Sequence, residues 1–366
     1  MATSIISREQ GLMLNQSDSS ELLQAGITQK ALHRIIEQYP HDLSTPELRA
    51  YITRSVNSVT PVLSNASKDI SYPLDRFSNG NNLINLFEQD SNQTYQETIA
   101  ALRRSIDLQP RNPAGGLWYF VYPEWSYLDG MYSFAPFYTL YANVYSKGET
   151  ATASINDVLY QLDLLWQHCY NNATDLLVHG YDYSKTAVWA NPITGGSPHV
   201  WGRSLGWYMM ALADILELSP HLVDVQQKFQ KLSAAVVRAA DPASGAWWQI
   251  LDQPGREGNY IESSGSAMFV YALFKGSRMG YLPHYENAAA RAYEYIVQNF
   301  VVDNGNGTLG YNRTVAVCSL NSTASYAYYI GQPILYNSVL GSGSFVMASL
   351  EYELYTAKFE QKHGKD

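Results

Sequence analysis

The sequence predicts an all-α protein whose helical hairpins close into a ring. Along most of the 366 residues, apolar side chains recur at helical spacing, and no segment shows the sustained alternation of a half-buried strand. Many segments are apolar on more than one side, which is typical of helices packed between neighbours. Aromatic, glycine-rich loops recur between helix pairs, at residues 110–130, 178–203 and 241–262. An open solenoid would show a clearer repeat and polar end caps, so a closed ring is favoured.

Roughly ten or eleven helices can be placed along the chain. The first clear one has Thr45 as N-cap, Pro46 at the first helical position and Glu47 in the first turn. Another follows the Gly/Asn turn after Asp75. The remaining segments pair as hairpins joined by short breaks such as Ser219-Pro220. The assigned helical segments are 45–63, 95–110, 130–145, 151–170, 203–220, 222–241, 263–283, 284–300 and 342–360.

Composition limits the class of protein. A hydrophobic content of 46% and a charged content of 16% argue against disorder. The net charge of −9 and the lack of a basic run disfavour nucleic acid and membrane partners. No linker divides the chain, so residues 1–366 are expected to form one domain, with 1–25 as a peripheral or poorly ordered N-terminal segment. A monomer or homodimer is expected.

The protein is predicted to be secreted, with a cytoplasmic location as the alternative. No apolar run reaches the roughly 18 residues of a membrane span, and the N-terminus lacks the basic and apolar regions of a signal peptide. Seven Asn-x-Ser/Thr triplets suit a secreted protein whose signal was removed. Cys169 and Cys318 could form a disulfide or remain two buried thiols, so they do not decide the compartment.

Polar side chains cluster in the aromatic loops between helices. Asp129 lies in the ring-rich stretch 118–138, and Asp75 precedes a turn at the start of a helix. The loop before the helix at 203 holds a further set, which comprises His179, Asp182, His199, Arg203 and the tryptophans Trp189, Trp201 and Trp207. Loops at one end of a ring converge on one cavity, where these groups would supply an acid/base pair, an anion-binding arginine and stacking surfaces. The ligand implied is a sugar that carries a negative charge.

Each of these residues also has a purely structural explanation. Asp75 and Asp129 both precede helices and could be capping or turn residues. Arg203 could pair with Asp182, and the tryptophans could be packing residues. The chain has no phosphate-binding Gly-rich loop, no Cys-x-x-Cys zinc pattern and no Gly-x-Ser-x-Gly elbow. The sequence therefore indicates no metal, no cofactor and no covalent nucleophile.

Four segments between residues 72 and 282 resemble glycoside hydrolase family 105, the unsaturated rhamnogalacturonyl hydrolases. They include "YPLDRFSNGNNLINLFEQ", "WSYLDGMYSFAPFY", "SPHVWGRSLGWYMMALADILE" and "NYIESSGSAMFVYALFKGSRMGYL". The resemblance implies an (α/α)6 barrel of six helical hairpins. It also implies a hydrolase that removes a terminal 4,5-unsaturated galacturonic acid from pectin (rhamnogalacturonan) oligosaccharides. Family members hydrate the C4=C5 double bond and do not attack the anomeric carbon.

The resemblance implies roles for individual residues. Asp129 matches the family's general acid/base, and Asp75 matches its second aspartate. The positions that match substrate-binding residues are His179, Trp201, Arg203 and Trp207. Trp118-Tyr119 is a departure, because bacterial relatives usually read His-Lys at this place near the substrate. The departure leaves the aglycone preference open.

Three other functions fit the same residues. Asp75 and Asp129 could be the acid and base of a conventional glycosidase that acts on saturated glycosides. The enzyme could be another unsaturated uronyl hydrolase, of glucuronyl or ulvan type. The protein could also bind carbohydrate without catalysis. Hydration requires Asp129 to hold a proton near working pH, so its pKa is expected to be raised by the surrounding aromatic walls and by the charge of Asp75, and the two aspartates are expected to titrate as a coupled pair.

Overall fold

The computed structural model describes residues 1–14, 20–282 and 284–363. A 3-10 helix, Leu74–Asn79, leads directly into α5. The α-helices in chain order are α1 (Ala2–Ser7), α2 (Glu21–Gln38), α3 (Thr45–Val59), α4 (Ala66–Asp69), α5 (Gly80–Asp90), α6 (Gln93–Leu108), α7 (Asp129–Tyr145), α8 (Gly148–Cys169), α9 (Gly202–Leu218), α10 (Val223–Arg238), α11 (Ser263–Arg278), α12 (Glu286–Phe300), α13 (Tyr326–Ile330) and α14 (Val339–His363).

Six helices form a closed inner ring. α2 packs against the 3-10 helix before α5, which packs against α7, and the ring continues through α9, α11 and α14 back to α2. The outer helices α3, α6, α8, α10 and α12 each pack against the inner helix that precedes them, and α1 packs against α14. This is the (α/α)6 barrel, and the prediction of an all-α ring of six hairpins is confirmed.

Burial separates the two rings as the sequence pattern predicts. In the inner ring, α9 buries every residue from Gly202 to Leu216, and α11 buries every residue from Ser263 to Gly276. The outer helix α10 buries one face only, through residues such as Val225, Phe229 and Leu232. An inner helix has neighbours on all sides, which is why its sequence is apolar on more than one face.

The described residues contain eight short strands of two or three residues, so the absence of long strands agrees with the prediction. They pair antiparallel, and each pair ties two loop ends together. The pairs are β1 (Trp125–Tyr127) with β4 (Gly180–Asp182), β2 (Tyr170–Asn171) with β3 (Leu176–Leu177), β5 (Val301–Asp303) with β6 (Leu309–Tyr311), and β7 (Thr314–Val315) with β8 (Ile334–Leu335). The β1–β4 pair joins the loops that lead to Asp129 and to α9.

Several helix starts differ from the assigned segments by up to three residues, and two differences concern residues singled out in the sequence. α7 begins at Asp129 and not near Met131, so the aspartate lies inside the first turn. Ser44, not Thr45, is the N-cap of α3. Within the N-terminal segment 1–25, residues 15–19 lie outside the described residues, whereas Leu22 and Leu23 are buried in α2. None of the described helices has the length and apolar character needed to cross a membrane.

Candidate active site

A cleft opens where the N-terminal ends of the inner helices meet. Its volume is about 670 Å³, including the part open to solvent. The helices present their first turns here, so their positive dipole ends and unpaired N–H groups favour negatively charged groups. The lining residues are Ser20, Leu23, Pro73, Asp75, Tyr119, Phe120, Tyr122, Tyr127, Asp129, Trp201, Arg203, Trp207, Val317, Cys318, Ser319 and Leu340. Of the predicted site residues, this cleft brings together six, namely Asp75, Asp129, Tyr119, Trp201, Arg203 and Trp207.

Asp129 is the first residue of α7, and side chains of the protein contact one of its carboxyl oxygens. The Ser204 hydroxyl donates a hydrogen bond of 2.5 Å to Asp129 Oδ2. His179 Nε2 lies 3.3 Å from the same oxygen but makes no hydrogen bond within the described residues. The side chain is buried but lines the cleft, so one face of the carboxyl is available to a ligand.

His179 is completely buried and does not line the cleft. Its Nδ1 shares a hydrogen bond of 2.8 Å with the Tyr329 hydroxyl. The imidazole packs between Trp201 and Tyr127, at centroid distances of 4.7 and 5.2 Å. These contacts hold the imidazole ring in one orientation. Its Nε2 faces the Asp129 carboxyl, and the histidine therefore limits how that carboxyl can turn.

Asp75 lies at the start of the 3-10 helix and is 4% exposed. The Tyr119 hydroxyl donates a hydrogen bond of 2.7 Å to Oδ2, while Oδ1 is buried and has no partner in the described part of the chain. The pKa of Asp75 is raised to about 7, chiefly by burial; the hydrogen bond from Tyr119 opposes the rise, the charge of Asp129 adds to it, and the charge of Arg76 opposes it. The Asp75 carboxyl is therefore partly protonated near neutral pH.

Arg203 carries the only Lys or Arg charge among the described residues that line the cleft. Its two terminal nitrogens donate to the backbone carbonyls of Val315 and Ala316, at 2.5 and 2.7 Å, and the guanidinium stacks on Trp201 at 4.8 Å. The suggested pairing of Arg203 with Asp182 is wrong. The Asp182 carboxylate instead accepts hydrogen bonds from its own loop, from the backbone N–H groups of Ser184, Thr186 and Ala187 and from the Ser184 hydroxyl.

Aromatic rings form the walls of the cleft. Tyr119 stacks on Tyr127 with centroids 4.3 Å apart and ring planes 13° from parallel. Trp118 is not among the lining residues. Its carbonyl accepts a hydrogen bond of 2.9 Å from the Gln109 amide, whereas the next residue, Tyr119, lines the cleft. The structure therefore separates the Trp118-Tyr119 departure into one residue in the cleft and one outside it.

Sequence reasoning missed several groups in or beside the cleft. Ser204 directly follows Arg203 in the segment that holds the predicted binding residues. Its position as a polar residue on the same helical turn could have identified it. Cys318 and Tyr329, the latter in α13, belong to the distant segment between β7 and β8, and no spacing connects them with His179 or Asp129. Both cysteines are free thiols, and burial raises the pKa of Cys318 to about 12 and that of Cys169 further.

Among the described residues, no three His, Cys, Asp or Glu side chains are grouped as metal ligands would be.

Comparison with known proteins assigns the chain to a family. A family model described as Glycosyl Hydrolase Family 88 matches residues 6–356. The chain belongs to that family. A solved structure of a family 105 glycoside hydrolase from C. acetobutylicum shares 33% identity and a TM-score of 0.86, over 96% of this chain and 98% of that one. The resemblance to family 105 is thereby confirmed, and this family 88/105 protein is a glycoside hydrolase.

Two further similarities have narrower meaning. Protein Atu3128 of Agrobacterium fabrum is 34% identical over 194 residues, which cover 49% of this chain and 83% of that protein. The unsaturated glucuronyl hydrolase of Bacillus sp. GL1, which degrades glycosaminoglycan, has a TM-score of 0.69 over 97% of this chain and 94% of that one. Its identity to the family 88/105 protein is 12%, so it shows a shared barrel and not a shared substrate.

Proposed function

We propose that this hydrolase removes a terminal 4,5-unsaturated galacturonic acid from rhamnogalacturonan-derived oligosaccharides by hydrating the C4=C5 double bond. The observation that carries the proposal is the pair of buried carboxyls in one cleft, Asp75 and Asp129, of which Asp75 has a pKa raised to about 7. Asp75 retains a proton up to about neutral pH, and in the proposed mechanism this proton reaches the substrate through Asp129 in the same cleft. Hydration of an enol ether begins with that proton.

Asp129 is the proposed general acid/base. A proton moves from its carboxyl to C4, a water molecule adds at C5, and the carboxylate takes the proton that this water releases. The product is a hemiketal, which opens and lets the aglycone sugar leave. The Ser204 hydrogen bond and the buried His179 hold the Asp129 carboxyl in one orientation during this transfer. General acid/base assistance of this kind contributes about 10²–10⁴-fold.

Asp75 and Arg203 are the proposed binding groups for the uronate. The unpartnered Oδ1 of Asp75 can accept one hydrogen bond from a sugar hydroxyl. Arg203 supplies the positive charge in a protein whose net charge is −9, so capture of the anion depends on this local contact. Trp201, Trp207 and Tyr119 offer ring faces to the sugar.

The test is turnover of the unsaturated galacturonyl-rhamnose disaccharide that a lyase produces. Wild type is expected to abolish the ultraviolet absorbance of the enoate, and the saturated disaccharide is the matched substrate control that should release nothing. Asp129→Asn is expected to reduce turnover by at least about 10²-fold with an unchanged melting temperature. Faster turnover of ulvan- or glycosaminoglycan-derived disaccharides would overturn the assignment to rhamnogalacturonan. Release of sugar from the saturated control would overturn hydration itself.

A further inference from the structure

A second pocket lies at the opposite end of the barrel from the cleft. It is lined by the C-terminal halves of α2 and α9 and by the middle of α7, and its volume is about 830 Å³ including its mouth. This rear pocket lies within the roughly 300–1,000 Å³ range of small-molecule sites. Its lining residues are Lys30, His33, Arg34, Glu37, Phe77, Ser78, Asn81, Asn82, Asn85, Tyr132, Ser133, Pro136, Leu140, Asp214, Glu217 and Leu218.

The charged groups of the rear pocket are already paired with each other. Lys30 donates a hydrogen bond to Asp214, and Lys275 beneath them donates 2.7 Å bonds to both Asp214 and Glu217. Arg34 lies 3.2–3.4 Å from carboxylate oxygens of Glu37 and Glu217. A charged ligand would have to break these pairs, at a cost that a neutral ligand avoids.

Two buried hydroxyls in the rear pocket have no protein partner. Tyr132 is 4% and Ser133 is 1% exposed, and neither hydroxyl makes a hydrogen bond within the described part of the chain. Asn81 Oδ1, on the facing helix α5, is also buried and has no hydrogen-bond partner among the residues that the structure describes. Burial raises the pKa of Tyr132 well above its usual value, so its hydroxyl keeps its proton as a neutral donor. Unsatisfied polar groups are costly, which favours a ligand that bonds to them.

The remaining wall is apolar. Phe77, Pro136, Leu140 and Leu218 line it beside these hydroxyl and amide groups. A surface that alternates apolar contact with hydroxyl and amide groups, without unpaired charge, matches a pyranose ring, which has C–H faces and a rim of hydroxyls. We propose that the rear pocket binds a neutral monosaccharide at a site separate from the catalytic cleft.

The two sites are separate but share a wall. Tyr132 in the rear pocket packs on Trp207 in the cleft, with centroids 4.3 Å apart. Ser133 lies one helical turn after Asp129 on α7. A sugar bound in the rear pocket therefore contacts α7, the helix that carries Asp129, without contacting the substrate in the cleft.

Calorimetric titration of the full chain with D-galactose and L-rhamnose tests the proposal, with D-galacturonate as the charged counterpart. Ser133→Ala is expected to weaken neutral-sugar binding about fivefold, the loss of one hydrogen bond of about 1 kcal/mol. Because it removes an unpartnered buried hydroxyl, its melting temperature should equal or exceed that of wild type. Asn81→Leu, at a half-buried position of the wall, is a second variant that should also weaken neutral-sugar binding. Tyr122→Ala in the cleft is the control that should leave this binding unchanged.

Other outcomes would overturn the proposal. One is that wild type binds neither neutral sugar. Another is that Tyr122→Ala loses binding while Ser133→Ala retains it in full. A third is that Ser133→Ala lowers the affinity for D-galacturonate as much as the affinity for D-galactose. None of these measurements involves turnover, so their failure leaves the proposed hydrolysis untouched, and failure of hydrolysis leaves the rear pocket untouched.

Discussion

Asp75→Asn tests the electrostatics of the cleft through the stability of the fold. The substitution removes the titrating group but keeps an oxygen that can accept the hydrogen bond from the Tyr119 hydroxyl. Its effect should depend on pH, because the native state holds a proton on Asp75 that the unfolded chain gives up.

The magnitude follows from the pKa, which rises from 3.8 in the unfolded chain to about 7 in the folded protein. Each unit is worth about 1.4 kcal/mol, so ionising buried Asp75 costs the fold about 4 kcal/mol. Between these two values the native state binds more protons than the unfolded state, so the free energy of unfolding falls as pH rises. The part of the folding stability that depends on the Asp75 proton is fully present at pH values below the unfolded pKa of 3.8. It is lost as pH rises through the folded pKa of about 7.

Urea unfolding of wild type and Asp75→Asn between about pH 5 and pH 8 measures this effect. The stability of the variant relative to wild type should increase by about 1.4 kcal/mol per pH unit up to about pH 7, and then stay constant. Asp107→Asn is the matched control, since that exposed aspartate pairs with Arg103 on the surface. A difference between wild type and Asp75→Asn that does not change with pH would refute the reasoning.

Three further outcomes are expected. Tyr119→Phe removes the hydrogen bond that lowers the pKa of Asp75, so the alkaline limb of kcat/KM should move to higher pH, and an unmoved limb contradicts this. Arg203→Met should raise KM for the unsaturated disaccharide by at least about tenfold with a smaller change in kcat, as initial rates will show. Cys318 should react with a thiol reagent at neutral pH far more slowly than a free cysteine, because burial raises its pKa to about 12, and rapid labelling of the folded protein would contradict its burial.

The inner helices show why the fold was largely predictable and where prediction failed. α7, α9 and α11 are strongly apolar, so their periodicity identifies them directly. α2 was not among the assigned segments, although it belongs to the same ring. It buries polar residues such as Thr28 and Gln29, and the Gln29 amide bonds to Ser55 and Asn79. These polar residues interrupt a buried face that is otherwise mostly apolar, so the apolar periodicity of α2 is less continuous than that of α9.

The site was predictable where its residues lie in local motifs. Asp75, Asp129 and Arg203 could be found because each opens an inner helix, and the first turns of those helices meet at one end of the ring. The support from Tyr329 to His179 spans 150 residues, and the carbonyl partners of Arg203 belong to the backbone. Contacts of these two kinds leave no trace in sequence spacing.

Hydration of the substrate in D2O is the most direct test of the proposed chemistry. If the acid/base at Asp129 delivers a proton to C4, the released uronate should carry one carbon-bound deuterium at C4, detected by NMR, while enoate absorbance and bound rhamnose disappear together. Product made in H2O and then placed in D2O for the same time corrects for later exchange. Free rhamnose released alongside a uronate that keeps its double bond and carries no deuterium would contradict the mechanism.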